Sequence, residues 1–330
     1  LKVLVGAWLM QSMLGALIVF GWLQRWTQRA AFKHWWNQGA REHASFAAFA
    51  GAVPSLHEHR HAPNWLLRPA RPPESGSRRT PRHLFSRLLG SAAANLRLGL
   101  QSVSNVLALT LPAGMLWALG WWGGWQNSFH KGYEQAAVGP GVSVLGIAIF
   151  VAAMCYVPMA LTRQAVTGQW RAFWQWRTVV TLLRRSWLPT AALALLFAGL
   201  NMGAMTLKSW PYFAPQMRTS ASPAPPAGAA PPSPRTAPAT AGIDWDQLTD
   251  EQALAHLNRH FLVSAVYVFG ALLLLRSAAA RIYAGAMLRC LQSGALRGEQ
   301  LAENERLLLQ RLQLHPTRAR PPRPSWSRVL

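Results

Sequence analysis

The chain has 330 residues, 51% hydrophobic and only 13% charged, with 33 Lys and Arg against 11 Asp and Glu for a formal charge of +22. Its apolar residues fall in long blocks, which excludes a pair of ordinary soluble domains, and seventeen Trp against five Tyr suit a protein at the membrane–water boundary. Two cysteines, Cys155 inside one apolar run and Cys290 beyond another, exclude a disulfide framework.

Residues 1–23 are apolar apart from Lys2, Gln11 and Ser12. The stretch is longer than a signal-peptide core and runs into Gln24-Arg25-Trp26 rather than a small-residue cleavage site, so it reads as a first transmembrane helix. The chain begins at Leu1 rather than Met, which leaves room for a preceding segment. Residues 24–100 read as a basic linker, with an interfacial helix expected at about 84–100. Inside it lies His57-Glu58-His59-Arg60-His61, an H-E-x-x-H that on a helix would offer two imidazoles to zinc and a glutamate as general base. Pro54 and Pro63 bracket the motif, leaving barely two helical turns, and no third ligand stands at a recognisable offset. His57, His59 and His61 are therefore weak metal candidates only. The reading assigned to them is a patch that gains charge below about pH 6.5.

Residues 101–207 form a three-span core, with spans at about 103–125, 142–162 and 187–207. The second span of the chain closes on "WALGWWGGW", where Trp121, Trp122 and Trp125 suit an aromatic belt and Gly120 and Gly124 make a G-x-x-x-G for helix packing. Gly199 and Gly203 repeat that spacing later. Between the spans, "VTGQWRAFWQWRTVVTLLRRSW" interleaves basic and aromatic residues. On one continuous helix over 168–186, Phe173, Trp176, Val180, Leu183 and Trp187 share a face opposite Arg171, Arg177, Arg184 and Arg185. With Trp170 they predict an interfacial helix, its aromatics at the acyl boundary and its arginines at anionic headgroups. Asn105 and Asn201, polar groups within spans, suit interhelical hydrogen bonds.

Residues 208–248 are a Pro/Ala-rich outer linker. After it Thr249 and Gln252 make a capping box that starts a helix, within a unit of 249–289 that holds the fifth span at about 260–282. Arg276 interrupts that span near its end and can snorkel to the boundary. A basic tail, 290–330, carries a short amphipathic helix in "EQLAENERLLLQRLQL".

Basic residues fix the expected orientation. Twelve lie between the first two spans, one (Lys131) between the next two, five between the third and fourth, four in the Pro/Ala-rich connection and ten from Arg276 onward. Rich and poor segments alternate, which predicts an outside N-terminus and a cytoplasmic C-terminus in the inner membrane of a bacterium. No G-x-S-x-G, phosphate-binding glycine loop, C-x-x-C or apolar carboxylate pair is present, and no acidic residue lies within a span.

Gly146 to Arg185 is similar to the bacterial and archaeal multi-pass membrane family catalogued as domain of unknown function 4013. The residues that carry the likeness are Pro158-Met159-Ala160, Thr167-Gly168, Ala172-Phe173 and Arg184-Arg185. The resemblance implies a helical membrane fold and supplies no activity. The fold expected from the whole sequence is all-α, a polytopic transmembrane helical bundle of about five spans with interfacial amphipathic helices. The function expected is a non-enzymatic assembly or accessory component that engages anionic lipid, a membrane partner or a second copy, with no cofactor and no nucleic acid. A small-solute transporter lined by Asn105, Asn201, His130 and Glu134 is the alternative, and a zinc protease at His57 and His61 a remote one.

Overall fold

Helices account for the regular structure throughout the residues described by this computed structural model, which are 2–39, 43–53, 56, 59, 63, 81–130, 138–221 and 249–314. In chain order they are α1 (Lys2–Leu9), α2 (Met13–Gln38), α3 (Phe46–Ala52), α4 (Pro81–His130), α5 (Val138–Thr167), a 3-10 turn (Trp170–Trp174), α6 (Trp176–Arg185), α7 (Trp187–Ala221), α8 (Asp250–Gln292), a second 3-10 turn (Gly298–Gln300) and α9 (Glu303–Arg311). Among the described residues, four segments are long and apolar enough to cross a bilayer: Leu89–Gly123, Gly139–Thr167, Trp187–Leu207 and Leu257–Gln292. They overlap the four later spans expected from the sequence.

The first apolar stretch is not one helix. Ser12 adopts extended backbone and caps α2, its Oγ accepting from the Gly15 N–H at 3.1 Å. The two polar residues Gln11 and Ser12 thus divide the stretch, and α1 packs along α8 instead of continuing α2. Helix α2 then runs on to Gln38, so residues 24–38 belong to the bundle rather than to a linker. Likewise 84–100 is no separate interfacial helix but the first third of α4, a helix of 50 residues.

Helix α2 meets α4 where glycines allow the backbones to touch. A Cβ at Gly21 would stand 1.8 Å from the Asn95 carbonyl oxygen, and one at Gly99 would stand 1.8 Å from that of Leu17. Helix α2 also packs on α8, where Trp26 Nε1 donates to Ser277 Oγ at 2.9 Å and Trp35 Nε1 donates to the Ala284 carbonyl at 3.0 Å. The glycine pairs read from the sequence behave differently from one another. Gly120 closes on α5, where a Cβ would lie 2.1 Å from Ser143 Oγ, and Gly203 faces the ring of Tyr267. Gly199 has open space where its side chain would be, so it makes no helix contact. Gly124 lies outside the described surroundings.

The deepest core is at the end of the bundle where α2, α5 and α8 finish. Phe32, Trp35, Phe49, Val166, Leu182, Met287 and Leu309 share it. Away from that end the spans carry their apolar side chains outward: Trp117, Trp121 and Trp122 on α4, Ile147 and Val151 on α5, Leu195 and Met202 on α7. That outward apolar surface is what lipid covers in a membrane protein.

One ion pair closes the core. Arg163 is 1% exposed and Glu305 0%, and Arg163 Nη1 lies 3.2 Å from Glu305 Oε2. The Tyr283 hydroxyl donates to Glu305 Oε1 at 2.7 Å, Arg163 Nε donates to Gln175 Oε1 at 2.7 Å and Nη2 donates to the Gln300 carbonyl at 2.9 Å. The Ala302 N–H adds a bond to Glu305 Oε2 at 2.9 Å, which caps α9. Arg163 therefore does not join the headgroup-facing arginines of its connection. It anchors the C-terminal segment to α5 and α8, and with every polar atom matched the pair survives its desolvation.

Two predictions follow from these contacts. Arg163→Met or Glu305→Leu alone leaves a buried partner uncompensated and is expected to cost about 3–5 kcal/mol, whereas the double variant recovers much of that loss; unfolding of the detergent-solubilised protein measures it, and additive losses would sink the coupling. Gly21→Val and Gly99→Val are expected to destabilise by about 1–3 kcal/mol each, with Gly199→Val near neutral, in the same unfolding assay.

Candidate functional site

Gly168 sets the geometry of the basic segment between the third and fourth expected spans. It ends α5 with φ +70°, a left-handed conformation in which only glycine is unstrained, and its N–H bonds the Gln164 carbonyl at 3.0 Å. The chain then enters the 3-10 turn, breaks at Gln175 and starts α6. The break moves the register of the expected continuous helix. Phe173, expected at the acyl boundary, is fully buried with its ring edge-on to Tyr156, and α6 buries Val179 and Leu182 rather than Val180 and Leu183. Trp170, Trp176 and Trp187 are 48%, 45% and 68% exposed, and Arg171, Arg177, Arg184 and Arg185 are exposed beside them. Arg171 lies over the Trp170 ring, 5.6 Å from its centroid.

Asn105 pins this turn to the bundle. Its Nδ2 donates to Gln164 Oε1 and to the Trp170 carbonyl, both at 3.1 Å, while its Oδ1 accepts from Trp174 Nε1 at 3.0 Å. The interhelical role expected of Asn105 is what the structure has. Asn201 instead sits exposed on α7, so the two asparagines line no common path. Glu134 and the side chains of His130 and Trp125 lie outside the described residues; Trp121 and Trp122 are 66% and 57% exposed near the far end of α4.

Between α2, α4 and the end of α5 opens a polar cleft that no sequence motif announced. A cavity of about 160 Å³ is lined by Gln24, Arg25 and Gln28 of α2, Ala94, Leu98 and Gln101 of α4, and Gln164, Ala165, Gly168 and Trp170. His59 and Pro63 close one side. It shares Ala94, Leu98, Gln101, Gly168 and Trp170 with a wider vestibule of about 680 Å³ that adds Arg97, Gln169 and Arg171. Helical spacing explains part of the lining: Gln24 and Gln28 are one turn apart, as are Ala94 and Leu98. The rest comes from a chain reversal at Gly168 and from α2 lying on α4. Gln24 is 3% exposed and its amide nitrogen bonds Ser102 Oγ, but its Oε1 has no hydrogen-bond partner among the described residues. A buried carbonyl oxygen left without a donor is costly, and this one is enclosed by the protein rather than open to the cavity.

The described part of the histidine-rich linker belongs to this wall. Arg29 Nε donates to the His59 carbonyl at 3.0 Å and Trp22 Nε1 to the Pro63 carbonyl at 2.9 Å. The His59 ring stands edge-on to Phe32. Burial first, and then the neighbouring Arg25 and Arg29, push its pKa down to about 4. His59 is thus not the residue that charges below pH 6.5; it stays neutral against a guanidinium-lined wall. His57, Glu58 and His61 lie outside the described residues. No family model, curated protein or solved structure matches the chain.

A neutral His59 in the fold and an ordinary histidine pKa near 6.5 in the unfolded chain give a definite sign. The unfolded state takes up a proton first, so this contribution to stability is complete above pH 6.5 and is lost as pH falls toward 4. The thermal midpoint is expected to drop between pH 7 and 4.5 more steeply in the native protein than in His59→Gln. Parallel curves would refute the assignment.

Proposed function

We propose that this integral membrane protein is a non-enzymatic assembly or accessory component whose basic end engages anionic lipid. The observation that carries the reading is the strip from Trp170 to Trp187: exposed tryptophans alternate with exposed arginines, α6 buries Val179 and Leu182 beneath them, and the span Trp187–Leu207 begins at the end of the strip. Tryptophan gains most at the boundary of acyl chains and headgroups, and each arginine near an anionic surface adds about 1 kcal/mol of attraction. Arg177 lies two helical turns from the adjacent pair Arg184 and Arg185, so they suit several headgroups rather than one buried ligand.

The alternation of basic and non-basic connections supports the same end as the cytoplasmic one in a bacterial inner membrane, and an N-terminus outside requires residues 1–38 to cross the bilayer as well. A membrane partner or a second copy fits the outward apolar faces of α4 and α7 as well as lipid does. The likeness of 146–185 to the domain-of-unknown-function family 4013 agrees with a helical membrane protein and leaves the role to be argued from this surface.

Mass spectrometry of the protein released from mixed-lipid nanodiscs is expected to find phosphatidylglycerol retained several-fold over phosphatidylcholine. Replacing Arg177, Arg184 and Arg185 together by Gln should bring the ratio toward one. Equal retention of both lipids by the native protein would overturn the reading.

A further inference from the structure

The cleft has a division of chemistry that the α6 strip lacks. Its inner part presents neutral amides, those of Gln24, Gln28, Gln101 and Gln164, and its mouth presents the guanidinium groups of Arg97 and Arg171, with Arg25 on the wall between. A bare anion would be served by the arginines and would leave the amides idle. An apolar ligand would desolvate the amide and guanidinium groups of the lining and offer them no hydrogen bond in return. Amides at this end suit a group that both donates and accepts hydrogen bonds, and those of Gln28 and Gln101 are half-buried, within reach of a ligand in the cleft.

We infer that this cleft binds a phosphate ester of a small polyol, with the hydroxyls among the glutamine amides and the phosphate at the arginines of the mouth. Glycerol phosphate has this chemistry, and so does the headgroup of phosphatidylglycerol. In the lipid the glycerol would enter first and the phosphate would stop at Arg97 and Arg171. The acyl chains would then run out over the exposed face of α4, where Leu100 and Leu107 are 54% and 60% exposed. The cleft lies at the start of the apolar segment Leu89–Gly123 and the end of Gly139–Thr167, at the depth where a span meets headgroups. Each edge is held: Asn105 fixes the Trp170 carbonyl, Arg25 Nη1 donates to Asn95 Oδ1 at 3.3 Å, and Gln28 Nε2 donates to the Val166 carbonyl at 3.4 Å. A site already held in place spends less of its binding energy on ordering itself. The inference deepens the lipid reading above and rests on it for the supply of a lipid ligand, while glycerol phosphate reaches the same groups from water.

The test uses the full chain in a zwitterionic detergent, with binding followed by calorimetry and by the thermal midpoint. Glycerol 1-phosphate is expected to bind about tenfold more tightly than inorganic phosphate, the difference one satisfied hydrogen-bonding group makes. Short-chain phosphatidylglycerol should exceed phosphatidic acid by a similar factor. Gln101→Leu should erase both preferences, and Arg97→Gln with Arg171→Gln should weaken all four ligands together. Gln101→Asn, which keeps the amide, serves as a second variant should the leucine protein fold poorly, and it is expected to retain part of the preference. If phosphatidylglycerol competes with glycerol phosphate and binds more tightly, the source is lipid; if it does not compete, the source is soluble, and the shared chemistry holds in both cases. Equal binding of inorganic phosphate and glycerol phosphate would overturn the inference, as would preferences that survive Gln101→Leu. The variant lacking Arg177, Arg184 and Arg185 separates the two readings, because it is expected to keep glycerol phosphate binding while losing its general preference for anionic bilayers.

Discussion

Arg163 and Glu305 are 142 positions apart in the chain and almost completely shielded from water, and the rest of the basic end is arranged around keeping them matched. Helix α5 delivers the arginine, α8 contributes the Tyr283 hydroxyl, Gln175 and the Gln300 carbonyl take two more of the guanidinium donors, and α9 brings the carboxylate. A charge in such a place is tolerated only when its hydrogen-bonding capacity is met. That requirement ties the C-terminal helix, the interspan turn and two spans into one unit. Leu308, Leu309 and Leu312 then find their places against α2 and the core without needing a large interface of their own.

This constraint shapes the surface as well as the interior. With Arg163 turned inward and Phe173 buried, the turn that follows α5 is held on three sides: by Asn105, by Gln175 and by the packing of Phe173 on Tyr156. The remaining arginines of the segment are left to face outward with Trp170, Trp176 and Trp187. A held turn also gives the cleft a fixed rim, since Gly168 and Trp170 border both its inner cavity and its vestibule. Rigidity at one end and outward apolar side chains along the spans are two sides of one economy. The bilayer covers the second, so internal packing is concentrated where water reaches the chain ends.

How much was readable before folding varies residue by residue. The span 187–207 coincides with the apolar segment of α7, and the Thr249 and Gln252 capping box starts α8 as its spacing indicated. A lone Asn105 within a span predicts an interhelical hydrogen bond, and the fold gives it three partners. Against that, apolar periodicity predicts one continuous helix over 168–186 because it carries no mark of the Gln175 break. The resulting shift moved Phe173 from surface to core. Residues 1–23 read as one helix because Gln11 and Ser12 are too brief a polar interruption to outweigh the apolar residues on either side. Glycine spacing misled at Gly199 and overlooked Gly21 and Gly99, which are the pair at which α2 and α4 meet, because their partners lie on another helix rather than four residues away.

The sequence by itself determined that this chain is a helical membrane protein, where most of its apolar helices lie and which connections are rich in arginine. These are properties of windows of some twenty residues, and the free energy of moving a side chain between water and lipid is additive along such a window. Only the tertiary structure decided which arginine leaves the surface, which glycines carry a helix crossing and that four glutamines from three helices surround one cavity. Each of these depends on pairing between segments far apart in the chain, and the energies involved, desolvation of a charge and contact between backbones, change sign with the identity of the partner. No local pattern supplies that identity.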